Sequence, residues 1–275
     1  MKPPEGRFQY GGDMGEEVPA AAISSDQPPY PRAPIAEAIL DVRVPALPAE
    51  SLELLAAFAD PAYPQRQESR LLDAQIEHNA LGVVTRGSQQ LNGYRHTSAD
   101  GHYVAQFRTD GFTFSRMAPY DRWDTFYAEA TRMLRLYEQA CSPPLLTRLA
   151  LRYINQISVP PGQIPVDEYL RTRPEIADDM PNTTTGFFLT MDLPLPDHDA
   201  KCRIIETILP PLLPPNPSGS QTRLVLDIDV YKEVAVSPSA DDHLETLNAS
   251  FVMLRHAKNM VFEKSITDKT RRLFT

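Results

Sequence analysis

One stretch in the middle of the chain alternates between apolar and polar residues with the period of a β-strand. It spans residues 149–157 as LALRYINQI, and Arg148 and Arg152 stand four positions apart around it. Side chains of a strand point alternately to its two faces, so both arginines lie on the same face. The opposite face consists of Leu149, Leu151, Tyr153, Asn155 and Ile157. Because a charged side chain on a sheet needs water or a partner, this stretch predicts a sheet with one polar face.

The first half of the chain follows the order strand, short helix, several strands, long helix. A half-polar strand is predicted over residues 34–44 and a short helix over residues 49–59. Strand candidates separated by turn residues follow at 68–79, 83–94, 102–108 and 111–116. Apolar residues then recur at helical spacing over residues 121–140, and Pro143-Pro144 ends that helix.

The second half repeats this order. Residues 146–159 form a strand, and residues 166–172 form a short helical turn. Further strands are predicted at 186–193, 201–209 and 222–230, and a long helix at 241–262. The residues themselves do not repeat, so the similarity of the halves is inferred from element order alone.

These patterns predict an α+β fold with antiparallel pairing, built from two similar halves and two long helices packed on one side of the sheet. We expect a flexible, proline-rich leader over residues 1–32, a first half over 33–144 and a second half over 145–275. The two halves are expected to form one compact unit. Element order alone permits either one continuous sheet or two facing sheets.

Composition restricts the compartment and the partners of the chain. The formal net charge of −9 disfavours binding to a phosphate backbone. Phe112, Phe114 and Arg116 share one strand face and offer the alternative of a base-stacking surface, but the acidic balance makes nucleic acid the weaker prediction. No apolar run is long enough to span a bilayer, and two cysteines are too few for a disulfide framework. We therefore expect a cytoplasmic protein without a membrane partner.

Three short motifs occur in a characteristic order along the chain. They are Ala33-Pro34-Ile35 with Glu37, Tyr120-x-x-Trp123 at the start of a helix, and Arg152-Tyr153-Ile154-Asn155. In this order the chain resembles a sporadically distributed family of uncharacterised bacterial proteins, from residue 33 through the last helix. The resemblance implies no activity and supplies no catalytic residue. The patchy distribution of the family implies an accessory role in a mobile or defence-type gene cluster.

Signatures of common enzyme classes do not occur in the sequence. There is no GxxxxGK[ST] phosphate loop, no GxGxxG after a strand and no GxSxG nucleophile elbow. Among the six histidines there is no HxH or HExxH pair. We therefore predict no catalytic residue, no metal site and no cofactor.

Polar residues on three of the predicted strands form the best candidate binding site. Glu37 and Arg43 share a face of the first strand, and Asp227 and Asp229 share a face of the strand over residues 222–230. If these strands join one sheet with the 146–159 strand, acidic and basic side chains meet on one surface. The candidate ligand-binding residues are Glu37, Arg43, Arg148, Arg152, Asn155, Asp227 and Asp229. The simpler interpretation is the wet face of an antiparallel sheet, with cross-strand ion pairs of modest value.

The sequence thus predicts a non-catalytic binding or interaction protein that forms oligomers and recognises a protein partner or a small anionic ligand. The alternative is a metal-dependent enzyme acting on phosphate esters, because paired carboxylates such as Asp227 and Asp229 bind Mg²⁺ in phosphoryl-transfer sites. In that alternative, Arg152 holds the phosphate.

Overall fold

The structure of the protein is a computed structural model. The structure describes residues 30–79, 82–160, 164–175, 177, 179–180, 186–209 and 222–275, and for residues 72–79 and 82–88 it describes the backbone alone. Most of the predicted leader and the proline-rich segment after residue 209 lie outside the described residues.

Strands and helices alternate in groups along the chain. Their bounds are β1 Ile35–Arg43, α1 Ser51–Ala57, β2 Gln65–Asn79, β3 Gly82–Thr97, β4 Tyr103–Arg108, β5 Gly111–Met117, α2 Trp123–Cys141, β6 Leu146–Val159, β7 Phe188–Leu195, β8 Ala200–Leu209, β9 Thr222–Val236, α3 His243–Ser265 and α4 Asp268–Arg271.

A single antiparallel sheet organises the described residues. Its nine strands lie in the order β2-β3-β4-β5-β1-β6-β9-β8-β7, and every neighbouring pair is antiparallel. The predicted α+β class with antiparallel pairing is confirmed. Of the two arrangements that element order permits, the chain adopts one continuous sheet.

One face of the sheet carries the hydrophobic core. Leu40 of β1 lies between Phe114 of β5 and Leu151 of β6, and Leu151 pairs in turn with Val230 of β9. These four side chains are almost fully buried. Because side chains alternate between the two faces of a strand, every second residue of each strand lies on this same face. The apolar residues of neighbouring strands therefore form a continuous layer across the sheet.

Helices α2 and α3 contact this apolar face. The ring of Phe126 in α2 lies 5.9 Å from that of Phe114, and Lys258 of α3 lies over the ring of Tyr153 in β6. The two helices also contact each other, since the rings of Tyr127 and Phe251 are 5.9 Å apart. Burying a large side chain in such a layer contributes roughly 1.5–3 kcal/mol. We call the opposite side of the sheet the open face.

Several elements differ in length from their sequence predictions. The helical turn predicted over residues 166–172 is a 3₁₀ turn of three residues, Val166–Glu168. Strand β9 continues six residues beyond the predicted end, because its partner β6 supplies hydrogen bonds as far as Leu146, which pairs with Val236. Helix α3 begins and ends slightly later than predicted.

Within the described part of the chain, no helix is both long enough and apolar enough to cross a bilayer.

Candidate functional site

Arginine and aspartate side chains from four strands of the sheet and one turn meet on the open face. They form what we call the open-face network, made of Asp41, Arg43, Arg108, Asp110, Arg148, Arg152, Asp227 and Asp229. The register explains the convergence, because Arg43 pairs with Arg148 across β1 and β6, and Arg152 pairs with Asp229 across β6 and β9.

Asp41 is the centre of this network. Its carboxylate accepts hydrogen bonds from Arg43 Nε at 3.0 Å, from Arg148 Nη1 at 3.2 Å and from Thr113 Oγ1 at 2.6 Å. Arg108 Nη2 lies at 3.4 Å from the same carboxylate. One acid thus holds three guanidinium groups together in a partly buried position.

The β6 arginines pair diagonally with the acids of β9. Arg152 donates from Nε and Nη2 to the two carboxylate oxygens of Asp227, at 2.8 and 2.5 Å. Arg148 Nη2 donates to Asp229 Oδ2 at 2.8 Å and stacks over the ring of Tyr231. The hydrogen bond to Asp227, followed by the charges of Asp227, Asp229 and Glu37, raises the pKa of Arg152. Bidentate pairs of this kind are the strongest form of the arginine–carboxylate interaction.

Six of the seven residues proposed from the sequence therefore lie on one surface. Glu37 occupies the same face of β1 as Asp41 and contributes to the electrostatic field at Arg152. Arg108 and Asp110 were missed as site residues. The strand period of β4 places Arg108 on the face opposite Phe107, but the position of β4 two strands from β1 depends on the sheet order.

A close approach of the main chain brings Asp110 into the network. Asp110 stands in the turn between β4 and β5, and the next residue, Gly111, pairs with Arg43. A Cβ atom at Gly111 would lie 2.3 Å from the carbonyl oxygen of Val42, so only glycine permits this approach. Asp110 then accepts from Arg43, Arg108 and Asn92. These donors hold its pKa below the usual value despite burial, which acts in the opposite direction.

Asn155, the seventh predicted residue, lies on the other side of the sheet. Its Nδ2 donates to the carbonyl oxygens of Tyr153 and Leu226 at 3.2 and 2.9 Å, and the residue is almost fully buried. The strand period had already placed it opposite the arginines, and the structure separates it from the open-face network.

Asn155 instead borders a cavity of about 700 Å³ between the start of α2, the second half of α3 and the segment before β1. We call it the α2–α3 cavity. Its lining comprises Tyr30, Pro31, Arg32, Ala33, Pro34, Ile35, Pro119, Tyr120, Asp121, Arg122, Trp123, Asp124, Tyr153, Asn155, Arg255, Lys258, Asn259, Phe262 and Glu263. A cavity of this size accommodates a small organic molecule.

Two tyrosine hydroxyls and two cations define the polar chemistry of the cavity. The hydroxyls of Tyr120 and Tyr153 are 3.1 Å apart and share one hydrogen bond. Lys258 Nζ lies 3.9 Å from the ring centre of Tyr153, and the guanidinium of Arg255 lies 5.3 Å from the ring centre of Trp123. Arg255 and Lys258 are three residues apart on α3, so they are neighbours on one helix face.

These two cations have no acidic partner among the residues that the structure describes. Neither Arg255 nor Lys258 makes a hydrogen bond or an ion pair there. Glu263, the acid closest to them on α3, already accepts from Tyr30 OH at 2.8 Å and from Arg271 Nε at 3.0 Å. The positive charge of the cavity is therefore available to a ligand.

Burial changes the acidity of the groups in the cavity. Burial of the Nζ atom lowers the pKa of Lys258 to about 7, although part of the side chain remains exposed. The charge of Arg255 lowers it further, and the charge of Glu263 opposes both effects. Burial also raises the pKa of Tyr120 to about 12 and that of Tyr153 well above its usual value. Both tyrosines are thus neutral hydrogen-bond donors at pH 7.

All three motifs of the family resemblance contribute residues to this cavity. The first motif supplies Ala33, Pro34 and Ile35, the second supplies Tyr120 and Trp123, and the third supplies Tyr153 and Asn155. The motifs are separated by many residues along the chain, and no local pattern indicates that they meet. By its volume and its lining, the α2–α3 cavity is a second candidate site, distinct from the open-face network.

The carboxylates considered for metal binding are engaged by arginines. Asp227 is held by Arg152 through both oxygens, and Asp229 is held by Arg148. In the described residues no group of three or more histidine, cysteine, aspartate or glutamate side chains is arranged to hold a metal ion. A metal at Asp227 would have to compete with the guanidinium of Arg152 for that carboxylate.

Comparisons of the chain with family models, with curated proteins and with solved structures found no match. The resemblance to the bacterial family therefore stays a prediction from the three motifs.

Proposed function

We propose that this chain is a non-catalytic binding protein that holds a small organic anion in the α2–α3 cavity. The observation that carries the proposal is the pair of uncommitted cations, Arg255 and Lys258, beside a shared pair of tyrosine hydroxyls. Cations without counter-ions in a partly buried site attract an anion, because the low local dielectric strengthens the pairing.

The open face is less suited to an anion, although sequence alone favoured it. The four arginines of the open-face network are each paired with aspartates of the same network. A ligand carboxylate or phosphate would have to compete with these ion pairs for the same guanidinium groups. The open face is better explained as a cross-strand network that stabilises the sheet.

The apolar part of the cavity favours a ligand that carries a ring or an alkyl group beside its charge. Trp123 stacks on Tyr127 with ring centres 4.9 Å apart, and Phe262 closes another side of the cavity. Sites for small molecules usually combine such an apolar lining with a few polar groups that orient the ligand.

The proposal includes two predictions from the sequence, namely that the chain has two similar halves and that it has an accessory role. Outward from the central β1–β6 pair, the strands follow as β5, β4, β3 on one side and β9, β8, β7 on the other. This order supports two similar halves, each contributing one long helix to the same side of the sheet. An accessory role in a mobile or defence-type gene cluster follows from the resemblance alone.

The single tryptophan of the chain permits a direct test. Trp123 lines the cavity and is the only tryptophan in the sequence, so its fluorescence reports on occupancy of this site. We expect a saturable change in emission on titration with phenyl phosphate or benzoate, and a weaker one with inorganic phosphate. Replacing Lys258 or Arg255 by methionine should weaken the binding about tenfold, equivalent to about 1.4 kcal/mol.

Matched variants make this test specific. Lys264→Met removes an exposed lysine from the same helix and should leave the affinity unchanged. Arg152→Met, checked for folding by circular dichroism, tests the open face and should also bind normally. The proposal is wrong if none of the three probes binds, if Lys258→Met binds as tightly as Lys264→Met, or if only Arg152→Met loses binding.

A further inference from the structure

We infer that Lys258 forms an imine with the carbonyl group of an oxo acid bound in the α2–α3 cavity. The inference rests on the proposed function, because it uses the same cavity, and it names the class of ligand. It adds a property that anion binding alone does not require, namely a reversible covalent bond to the protein.

The position of Lys258 suits a nucleophilic amine. Its Nζ lies against the ring of Tyr153, within the cavity, and no carboxylate holds it in the ammonium form. A lysine that is desolvated beside a second cation is activated for attack on carbonyl groups, because the neutral amine becomes accessible near neutral pH. The lowered pKa of Lys258 agrees with this geometry.

Other charged groups around the cavity do not cancel this effect. The charges and hydroxyls that line it are Arg32, Asp121, Arg122, Asp124 and the tyrosines at positions 30, 120 and 153, together with Arg255 and Glu263 of α3. Arg32 donates to the carbonyl oxygen of Thr275, and Arg122 donates to Thr125. Of the three acids, Glu263 is the one that acts on Lys258, and it is shared with Tyr30 and Arg271.

Arg255 supplies the selectivity for an acid. It stands one helical turn before Lys258 on the same face of α3, and its guanidinium is free to bind a carboxylate. In a 2-oxo acid the carboxylate and the carbonyl carbon are adjacent. Neighbouring side chains on one helix face therefore reach both groups of such a molecule.

The tyrosine pair provides a proton donor at the carbonyl oxygen. The neutral Nζ attacks the carbonyl carbon, so that the C–N bond forms as the π bond of the carbonyl breaks. The oxygen takes a proton from the tyrosine pair, and the nitrogen returns one of its protons to that pair, which gives a carbinolamine. The hydroxyl group of the carbinolamine then leaves as water together with the proton that remains on the nitrogen, and the C=N bond forms. The net change is one imine formed and one water released, and no oxidant or reductant is consumed. Tyr120 and Tyr153 share one hydrogen bond and so retain one hydroxyl proton to donate.

Reductive trapping with glyoxylate and cyanoborohydride tests the inference. Glyoxylate is the simplest acid of this class, and reduction of its imine leaves a stable carboxymethyl group on the lysine. After a short reaction at pH 7, peptide mass spectrometry is expected to show Lys258 labelled at least tenfold faster than the exposed Lys264. Acetaldehyde, which lacks the carboxylate, should show a smaller preference for Lys258 because Arg255 has no group to hold.

Two variants separate this inference from the proposed function. Lys258→Arg keeps the positive charge, so it should still bind benzoate in the fluorescence titration while losing the label at that position. Arg255→Met should lower the labelling by glyoxylate more than the labelling by acetaldehyde. Labelling of Lys258 no faster than that of Lys264 overturns the imine, and if benzoate still binds, the proposed function stands. Equal preference for glyoxylate and acetaldehyde overturns the assignment to oxo acids.

Discussion

Replacement of Glu206 by methionine is expected to stabilise the protein, and to do so more strongly at pH 8.5 than at pH 5. Glu206 lies in β8 between Leu189 and Leu226, on the apolar face of the sheet, and is fully buried. Neither of its carboxylate oxygens has a hydrogen-bond partner in the described structure. A buried polar group without a partner costs about 1–3 kcal/mol, and methionine has a similar length with no such group.

The dependence on pH follows from the position of the Glu206 pKa. Burial raises this pKa from 4.5 in the unfolded chain to about 8 in the folded protein. The folded state then binds this proton more tightly than the unfolded state, so the contribution of Glu206 to stability is most favourable below pH 4.5. This contribution falls as the pH rises from 4.5 toward 8, by up to about 5 kcal/mol if the shift is fully expressed. Methionine does not titrate, so its advantage should increase over this range.

Urea unfolding at pH 5, 7 and 8.5 measures this difference. The result of interest is the unfolding free energy of Glu206→Met minus that of the wild type, because other titrating groups cancel in it. Glu206→Gln is the matched control, since it removes the charge but leaves an unpaired polar group. Glu206→Gln should remove the pH-dependent part of the unfolding free energy. At pH 5 it should remain less stable than Glu206→Met. A difference between methionine and wild type that is constant from pH 5 to 8.5 would contradict the assignment.

Replacement of Asp41 by alanine is expected to destabilise the protein by roughly 1.5–3 kcal/mol, the range for hydrogen bonds to charged groups. Asp41 is bound by Arg43, Arg148 and Thr113 and lies near Arg108, whose side chain is 10% exposed. Without Asp41, Arg108 keeps Asp110 and Arg148 keeps Asp229. The remaining acids then have to balance the same number of guanidinium groups at greater distance.

The pair between Asp192 and Arg203 on the same sheet is the matched control. Arg203 Nε donates to Asp192 at 2.8 Å, but both side chains are more than half exposed. Asp192→Ala should therefore leave the unfolding free energy within experimental error, because exposed pairs are screened by water and salt. Urea unfolding at low and high salt distinguishes the two positions. Equal losses for Asp41→Ala and Asp192→Ala would show that the open-face network does not act as a partly buried unit.

Local periodicity was sufficient to assign side chains to sheet faces. The alternation from Arg148 to Ile157 placed both arginines on one face and Asn155 on the other, and the structure has the same arrangement. It was also sufficient to predict that Asp227 and Asp229 share a face. The side-chain direction in a strand depends only on the parity of the position, so no knowledge of neighbouring strands was needed.

The α2–α3 cavity was not visible in the sequence. From the sequence, Arg255 and Lys258 are assigned to the solvent-exposed side of a helix whose apolar side begins with Leu244 and Leu247. One signal was present, since Phe251, Arg255, Lys258 and Phe262 follow at spacings of four, three and four residues and therefore share a helix face. Two cations that interrupt the apolar face of a helix indicate either that this part of the face is exposed to solvent or that it lines a cavity. Helical spacing alone does not distinguish these two cases.

Sequence alone determined the class of the fold, the faces of the strands and the acidic balance of the chain, because these depend on residue type and on short periods. Tertiary structure decided the rest. The order of strands brought Asp41 beside three arginines from different parts of the chain, and the packing of α3 on β6 brought Lys258 to Tyr153. Such contacts join residues far apart in sequence, and they depend on the register and packing of whole elements, which no local pattern encodes.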